Sequence, residues 1–204
     1  MWDPKLVRLS RGGSFATLPA VGFALAAPRR TRWFGRALLA ALIGFQLDVA
    51  RGKTVPGASD NASGVAATLA LVERWAAEPL PGCEVIALFP GCEEAGMGGT
   101  AAWLREEGAA LDPATTLVLG LDTLGAGEPV VTAKEGGLVP IRFRKQDLAW
   151  ADAGAAAAGL AAPTRARVPG WTDPALTLLA GLPSSSLLSM RDGLFTEYHL
   201  PSDT

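Results

Sequence analysis

Thr115-Thr116-Leu117-Val118-Leu119-Gly120-Leu121-Asp122 decides the fold. A short apolar run that ends on a carboxylate is how a buried strand delivers an acid to the end of a sheet. A second run of this kind, Glu84-Val85-Ile86-Ala87-Leu88-Phe89-Pro90, reads as a buried strand leading into Gly91-Cys92-Glu93-Glu94. Helical patterns alternate with these runs. Val65, Leu69, Val72 and Trp75 recur at helical spacing after a turn-rich stretch, which predicts a helix starting near Asn61 and ending before Pro79. Further expectations are a helix over about Gly99–Gly108, a short strand near Pro129–Ala133, and an alanine-rich helix from Leu148 to Ala162 that covers a sheet. From Thr54 onward the alternation predicts a layered α/β domain, and open sheets of this class place ligands in the crevice beyond the carboxyl ends of their strands.

The chain has 204 residues, enough for one domain with its own core, and a net charge of -2. Basic residues cluster only in the first fifty positions, so no basic field attracts nucleic acid, and nucleic-acid binding is excluded. Those fifty positions differ from the rest. Two apolar stretches, Ser14 to Ala27 and Ala37 to Leu47, flank the basic run Pro28-Arg29-Arg30-Thr31-Arg32-Trp33-Phe34-Gly35-Arg36 and predict a hairpin of short helices over residues 1–53. Each falls short of the about 20 residues that span a bilayer. The hairpin either packs as an ordinary helical pair or makes peripheral contact with a membrane through its basic, Trp-containing turn. No cleavable signal peptide is recognisable, and the compartment stays open. Cys83 and Cys92 allow one disulfide at most.

Four motifs carry chemistry: GASDNASGVA with Asp60, CEEAG with Glu93 and Glu94, GLDTLG with Asp122, and EYHLPSDT with His199, the single histidine. Each offers an oxygen or nitrogen ligand, and three acids with an imidazole form a plausible hydrolytic metal centre. Taken singly they have plainer readings. Asp60 could cap the helix that follows it. Glu93 and Glu94 could decorate a solvated turn. Asp122 could cap a turn, and His199 could sit in a surface loop.

In order, GASDNASGVA, FPGCEEAG, LGLDTLG, GWTDPALTLLAGLPSSSL and EYHLPSDT resemble the two-zinc aminopeptidases, a family with glutamate carboxypeptidase and glutaminyl cyclase among its relatives. The resemblance runs from about Val55 to Thr204. It implies a three-layer α/β/α sandwich with a mostly parallel mixed sheet over residues 54–204, and a metallo-aminopeptidase acting on peptide substrates. By position, Asp60 is similar to the carboxylate that bridges both zinc ions, Glu94 to a ligand of one ion and Asp122 to a ligand of the other. His199 resembles the imidazole that completes the Glu94 site, Tyr198 the phenol that stabilises the oxyanion, and Glu93 the general base. Asp173 matches an acidic position usually followed by histidine, here Pro174, and a role in orienting neighbours is expected for it. Asp203 is expected to cap or hydrogen-bond locally.

The chain also departs from that family upstream of its first motif and stops at Thr204 in the middle of the last one. Members carry a His-x-Asp motif upstream of DNASG, whereas here Gly44-Phe45-Gln46-Leu47-Asp48-Val49-Ala50-Arg51 contains Asp48 and no histidine. The expectation is a catalytic domain incomplete at both ends that holds about one zinc ion instead of two, with little or no peptidase activity of its own.

Overall fold

Strand β1 (Val118–Leu121) pairs in parallel with β5 (Ser184–Met190), and this pair carries Asp122 at its carboxyl end. Strand β2 (Glu128–Glu135) runs antiparallel to β5, in parallel with β4 (Thr164–Val168), and antiparallel to the short β3 (Ile141–Arg142). The result is a mixed five-stranded sheet with helices packed on it, an α/β fold. The computed structural model describes residues 21–22, 24–52, 54–94, 96–136 and 140–204, and it divides into two compact units, Met1–Val55 and Pro56–Thr204.

In the second unit both faces of β2 and β5 are dry. Val130, Leu188 and Met190 pack with Val168 and Phe195, while the alternate residues Val131 and Leu187 pack with Phe143, Leu148 and Leu178. This is the period-2 alternation of a sheet buried on two sides. Helix α2 (Ser63–Ala77) leads away from Asp60, α3 (Gly98–Glu106) follows the Glu93–Glu94 loop, α4 (Lys145–Ala157) supplies Leu148, and α5 (Asp173–Leu179) packs on β1 and β5. Gly120 makes the last contact possible, because a Cβ there would lie 2.3 Å from Pro174 Cγ.

Strand β5 is buried although its first three residues are serines. Ser184 Oγ meets Thr177 Oγ1 at 2.7 Å, Ser186 Oγ meets Thr172 Oγ1 at 2.6 Å, and Ser189 Oγ donates to the Thr123 and Ala126 carbonyls. Three of the four serine hydroxyls in the strand are thus satisfied, and Ser185 Oγ is left without a partner.

One expected strand is absent from the described ladders. Glu84–Pro90 forms no strand, and Val85, Ile86, Leu88 and Phe89 are exposed. Apolar alternation shows that a segment wants a partner and a covered face, but the ladder itself comes from a neighbour, and β1 pairs only with β5 among the described strands. Both cysteines are free and exposed.

In the first unit helix α1 (Arg32–Arg51) is longer than the expected Ala37–Leu47, because Arg32 to Arg36 continue it backward. Trp33, Phe34, Ile43 and Leu47 are exposed on it. Most of the other predicted apolar stretch, Ser14–Ala27, lies outside the described residues. No helix among the described residues is long and apolar enough to cross a membrane.

Candidate metal centre

The acids reach the site from three loops, with Glu93 and Glu94 sharing one. Asp60 lies in the irregular turn Ala58–Ala62, at φ -116° and ψ 92°, outside helical geometry. It does not cap helix α2, whose N-cap residue is Ala62. The side chain that turns back is Asn61: its Oδ1 accepts the N–H groups of Gly64 (3.0 Å) and Thr123 (3.1 Å), and its Nδ2 donates to the Leu121 carbonyl at 3.3 Å. Ser63 Oγ donates to the Ser59 carbonyl and accepts the Leu124 N–H. Asn61 and Ser63 therefore clamp the Asp60 turn onto the segment that presents Asp122. The clamp is tight enough that a Cβ on Gly64 would lie 2.2 Å from the Leu121 carbonyl oxygen.

The loop holding Glu93 and Glu94 is fastened by the start of α3. Gly96 and Met97 donate their N–H groups to the Glu93 carbonyl, Gly98 to that of Cys92, and Gly99 to that of Gly91. His199 comes from the tail after β5. Its ring stacks on Tyr198 with centroids 3.8 Å apart and planes 18° off parallel.

Asp60, Glu94 and His199 meet. Each offers one ligand atom, and the three atoms lie within 4.8 Å of one another. His199 Nε2 is 2.9 Å from Glu94 Oε1 and 3.2 Å from Asp60 Oδ2. Hydrogen bonds to Asp60 and then to Glu94 push the imidazole up to about 9, against the effect of burial. Glu94 is lowered in turn, chiefly by its hydrogen bond to His199. A proton on the imidazole thus sits where two carboxylates converge, and two oxygens with a nitrogen are a donor set that suits zinc.

Asp122 stands outside this trio. Its Oδ1 accepts the Thr123 hydroxyl at 2.9 Å. Burial raises it to about 6, opposed by that hydrogen bond and reinforced by the charges of Asp60, Asp173 and Glu94. Glu93 is half-buried and is pushed up to about 8, first by burial and then by Asp122, Glu94, Asp173 and Asp60. The six predicted residues Asp60, Glu93, Glu94, Asp122, Tyr198 and His199 share one neighbourhood, with three of them in direct ligand-like geometry.

Around them lie residues whose roles were not predicted. Thr100 donates to Asp173 Oδ1 at 2.6 Å, which ties α5 to α3. Glu135 is fully buried at the end of β2. It accepts the Thr172 N–H at 2.8 Å and the Thr172 hydroxyl at 2.7 Å. Asp203, expected to bond locally, instead accepts the backbone N–H groups of Ser59 and Asp60 from across the chain. A short polar tail gives no hint of such a long-range partner, although the Asp-Asn-Ala-Ser run did signal a turn with side chains bonding to backbone.

The model of peptidase family M28 matches residues 46–204. Among solved structures, the aminopeptidase from Aneurinibacillus sp. strain AM-1 is similar at 26% identity, with a TM-score of 0.52 over 74% of this chain. The match covers 34% of that enzyme, so the chain spans about a third of its length. No curated protein matches. With matched residues that take in the Asp60 turn, the Glu93–Glu94 loop, the end of β1 and the His199 tail, the chain belongs to peptidase family M28.

Proposed function

We propose that the protein is a zinc-dependent exopeptidase of the aminopeptidase kind, hydrolysing N-terminal peptide bonds. In this reading Asp60, Glu94 and His199 hold one zinc ion and Glu93 is the general base. The observation that carries it is the meeting of three ligand atoms within 4.8 Å beside a half-buried glutamate that is not one of them. When bound, zinc lowers the pKa of a coordinated water toward neutrality and polarises the carbonyl to be attacked.

The remaining work falls to the side chains. Glu93 is held protonated near neutrality by burial and by its acidic neighbours. With a cation held by Asp60, Glu94 and His199 offsetting that negative charge, Glu93 would return to the carboxylate form. One of its carboxylate oxygens then takes a proton from water, holds it, and passes it to the leaving amine. Tyr198, stacked on His199, is placed in this reading to donate its phenol O–H to the developing oxyanion. Among the described residues only Asp60, Glu94 and His199 bring three ligand atoms together, so a second ion would find fewer than the three protein ligands of a catalytic zinc site. About one zinc per chain is expected, with low turnover.

Metal analysis of dialysed wild type, Glu93→Gln and Glu94→Gln tests the reading. Wild type and Glu93→Gln should each retain about one zinc, and Glu94→Gln should retain less. Residual turnover of aminoacyl substrates should fall by roughly 10²- to 10⁴-fold in Glu93→Gln. Equal metal loss in both variants would overturn the division of labour between the two glutamates. Cyclisation of N-terminal glutamine without any hydrolysis would overturn the aminopeptidase assignment.

A further inference from the structure

We propose that Asp203 is a positioning residue that joins docking of the C-terminal tail to metal capture, an inference that rests on the reading of Asp60, Glu94 and His199 as zinc ligands. Asp203 is buried at 3% exposure, while Pro201, Ser202 and Thr204 around it are exposed. Its two carboxylate oxygens divide their work. Oδ1 accepts the N–H of Ser59, and Oδ2 accepts the N–H of Asp60 at 3.1 Å. Backbone N–H groups that point at one carboxylate fix both peptide planes, and with them the direction in which the Asp60 side chain leaves the chain.

The other end of the same device is His199. Leu200 donates its N–H to the Glu197 carbonyl and Asp203 to the Leu200 carbonyl, so Glu197 to Asp203 form consecutive turns. Within them Glu197 and His199 both have φ 57°, left-handed values that a non-glycine residue holds only when its surroundings impose them. Asp203 supplies such an imposition by anchoring the turns to the Ser59–Asp60 backbone. A single carboxylate thereby sets two ligands that are far apart in sequence, Asp60 directly and His199 through the turns. Their functional atoms come to lie 3.2 Å apart.

Linkage makes the consequence reciprocal: if a docked tail strengthens metal binding, bound metal strengthens tail docking by the same factor. A residue with a merely structural role would lower the stability of the metal-free protein and leave the affinity of the folded protein unchanged. A positioning residue changes the affinity well below the unfolding temperature.

The experiment measures zinc affinity by chelator competition in the full chain for wild type, Asp203→Asn, Asp203→Ala and the control Thr204→Ala, whose side chain is exposed. Hydrogen exchange of the amides of Ser59, Asp60 and residues 198–204 is followed with and without zinc. Asp203→Asn keeps one acceptor and Asp203→Ala keeps none. Affinity should therefore fall in that order, by 10- to 100-fold for the asparagine variant, as for loss of a group that orients a metal ligand. Thr204→Ala should match wild type. In the wild type alone, zinc should slow exchange across the tail, a result that needs no variant to fold. Affinity within twofold of wild type in folded Asp203→Asn would overturn the proposal, as would zinc binding that leaves tail exchange unchanged. A wild type that binds no zinc at all would instead overturn the metal reading on which the proposal rests.

Discussion

Replacing Glu135 by Gln should flatten the pH dependence of stability of the metal-free protein. Glu135 is fully buried, and burial pushes its carboxyl from 4.5 up to about 7, against hydrogen bonds from Thr172 and Ser186 that favour the charged form. A carboxyl with a raised folded value binds its proton more tightly in the native state than in the unfolded one. Between 4.5 and 7 the native state therefore holds more protons, and stability falls as pH rises through this window. It levels off once both states are ionised. From pH 5 to pH 8 the loss from this one group is on the order of 2–3 kcal/mol, a large share of the ordinary stability of a domain. Glutamine occupies the same volume, and its amide can still accept the Thr172 N–H and donate to the Thr172 hydroxyl, which then turns toward Ser186. Urea unfolding of both proteins at pH 5 and pH 8, in chelator, measures the difference. His199, Glu93 and Asp122 are also raised and lose stability in the same direction, so the quantity to read is the gap between wild type and variant. Parallel pH profiles would refute the claim that Glu135 takes up a proton on folding.

Zinc affinity should rise about tenfold for each pH step from 6 to 8, because His199, raised to about 9, must lose its proton to become a ligand. Calorimetry in buffers of different ionisation enthalpy should count at least one proton released, and a pH-independent affinity would remove His199 from the ligand set. Gly64→Ala should cost roughly 1–3 kcal/mol by overpacking, since its Cβ would meet the Leu121 carbonyl oxygen at 2.2 Å and Asn61 Oδ1 at 2.3 Å. A thermal midpoint equal to wild type would show that the clamp is loose. Helix α1, with Trp33, Phe34, Ile43 and Leu47 exposed beside Arg29, Arg30 and Arg36, should carry the chain to vesicles containing anionic lipid, less so at high salt. Flotation that fails even with anionic lipid would favour the ordinary packed hairpin.

The sequence revealed the carriers of chemistry better than the elements between them. Asp122 was legible because an apolar strand led straight to it, and helix α2 because four apolar residues recurred at helical spacing. Strand β5 was not legible, because its opening serines lack the branched and aromatic side chains that mark a strand. Their burial depends on Thr172 and Thr177, hydroxyl partners brought in by a helix that packs on the strand. Glu84–Pro90 fails in the opposite way, with a strong strand pattern and no ladder among the described residues. Asp203 illustrates a third limit: residues three or four positions apart can be read from local rules, but its bonds reach Ser59 and Asp60 near the other end of the unit.

The electrostatics of the site tie these pieces together. Asp60, Glu93, Glu94, Asp122 and Asp173 influence one another, and His199 is the cation drawn in among them. Burial raises Glu93, Asp122 and Asp173, acidic neighbours add to this at Glu93 and Asp122, and hydrogen bonds to Asp60 and Glu94 keep His199 protonated well above its ordinary range. Those protons cost the fold less than bare carboxylates in a partly buried pocket would. In the proposed reading a divalent cation would offer the same relief with more charge in less space, displacing the His199 proton and weakening the hold of Glu93 on its own. Metal binding and proton release would then be one equilibrium, and the group freed by it, Glu93, would be the carboxylate assigned to move a proton without being a ligand. The acidic surplus would in this way supply both the affinity of the proposed site and its base.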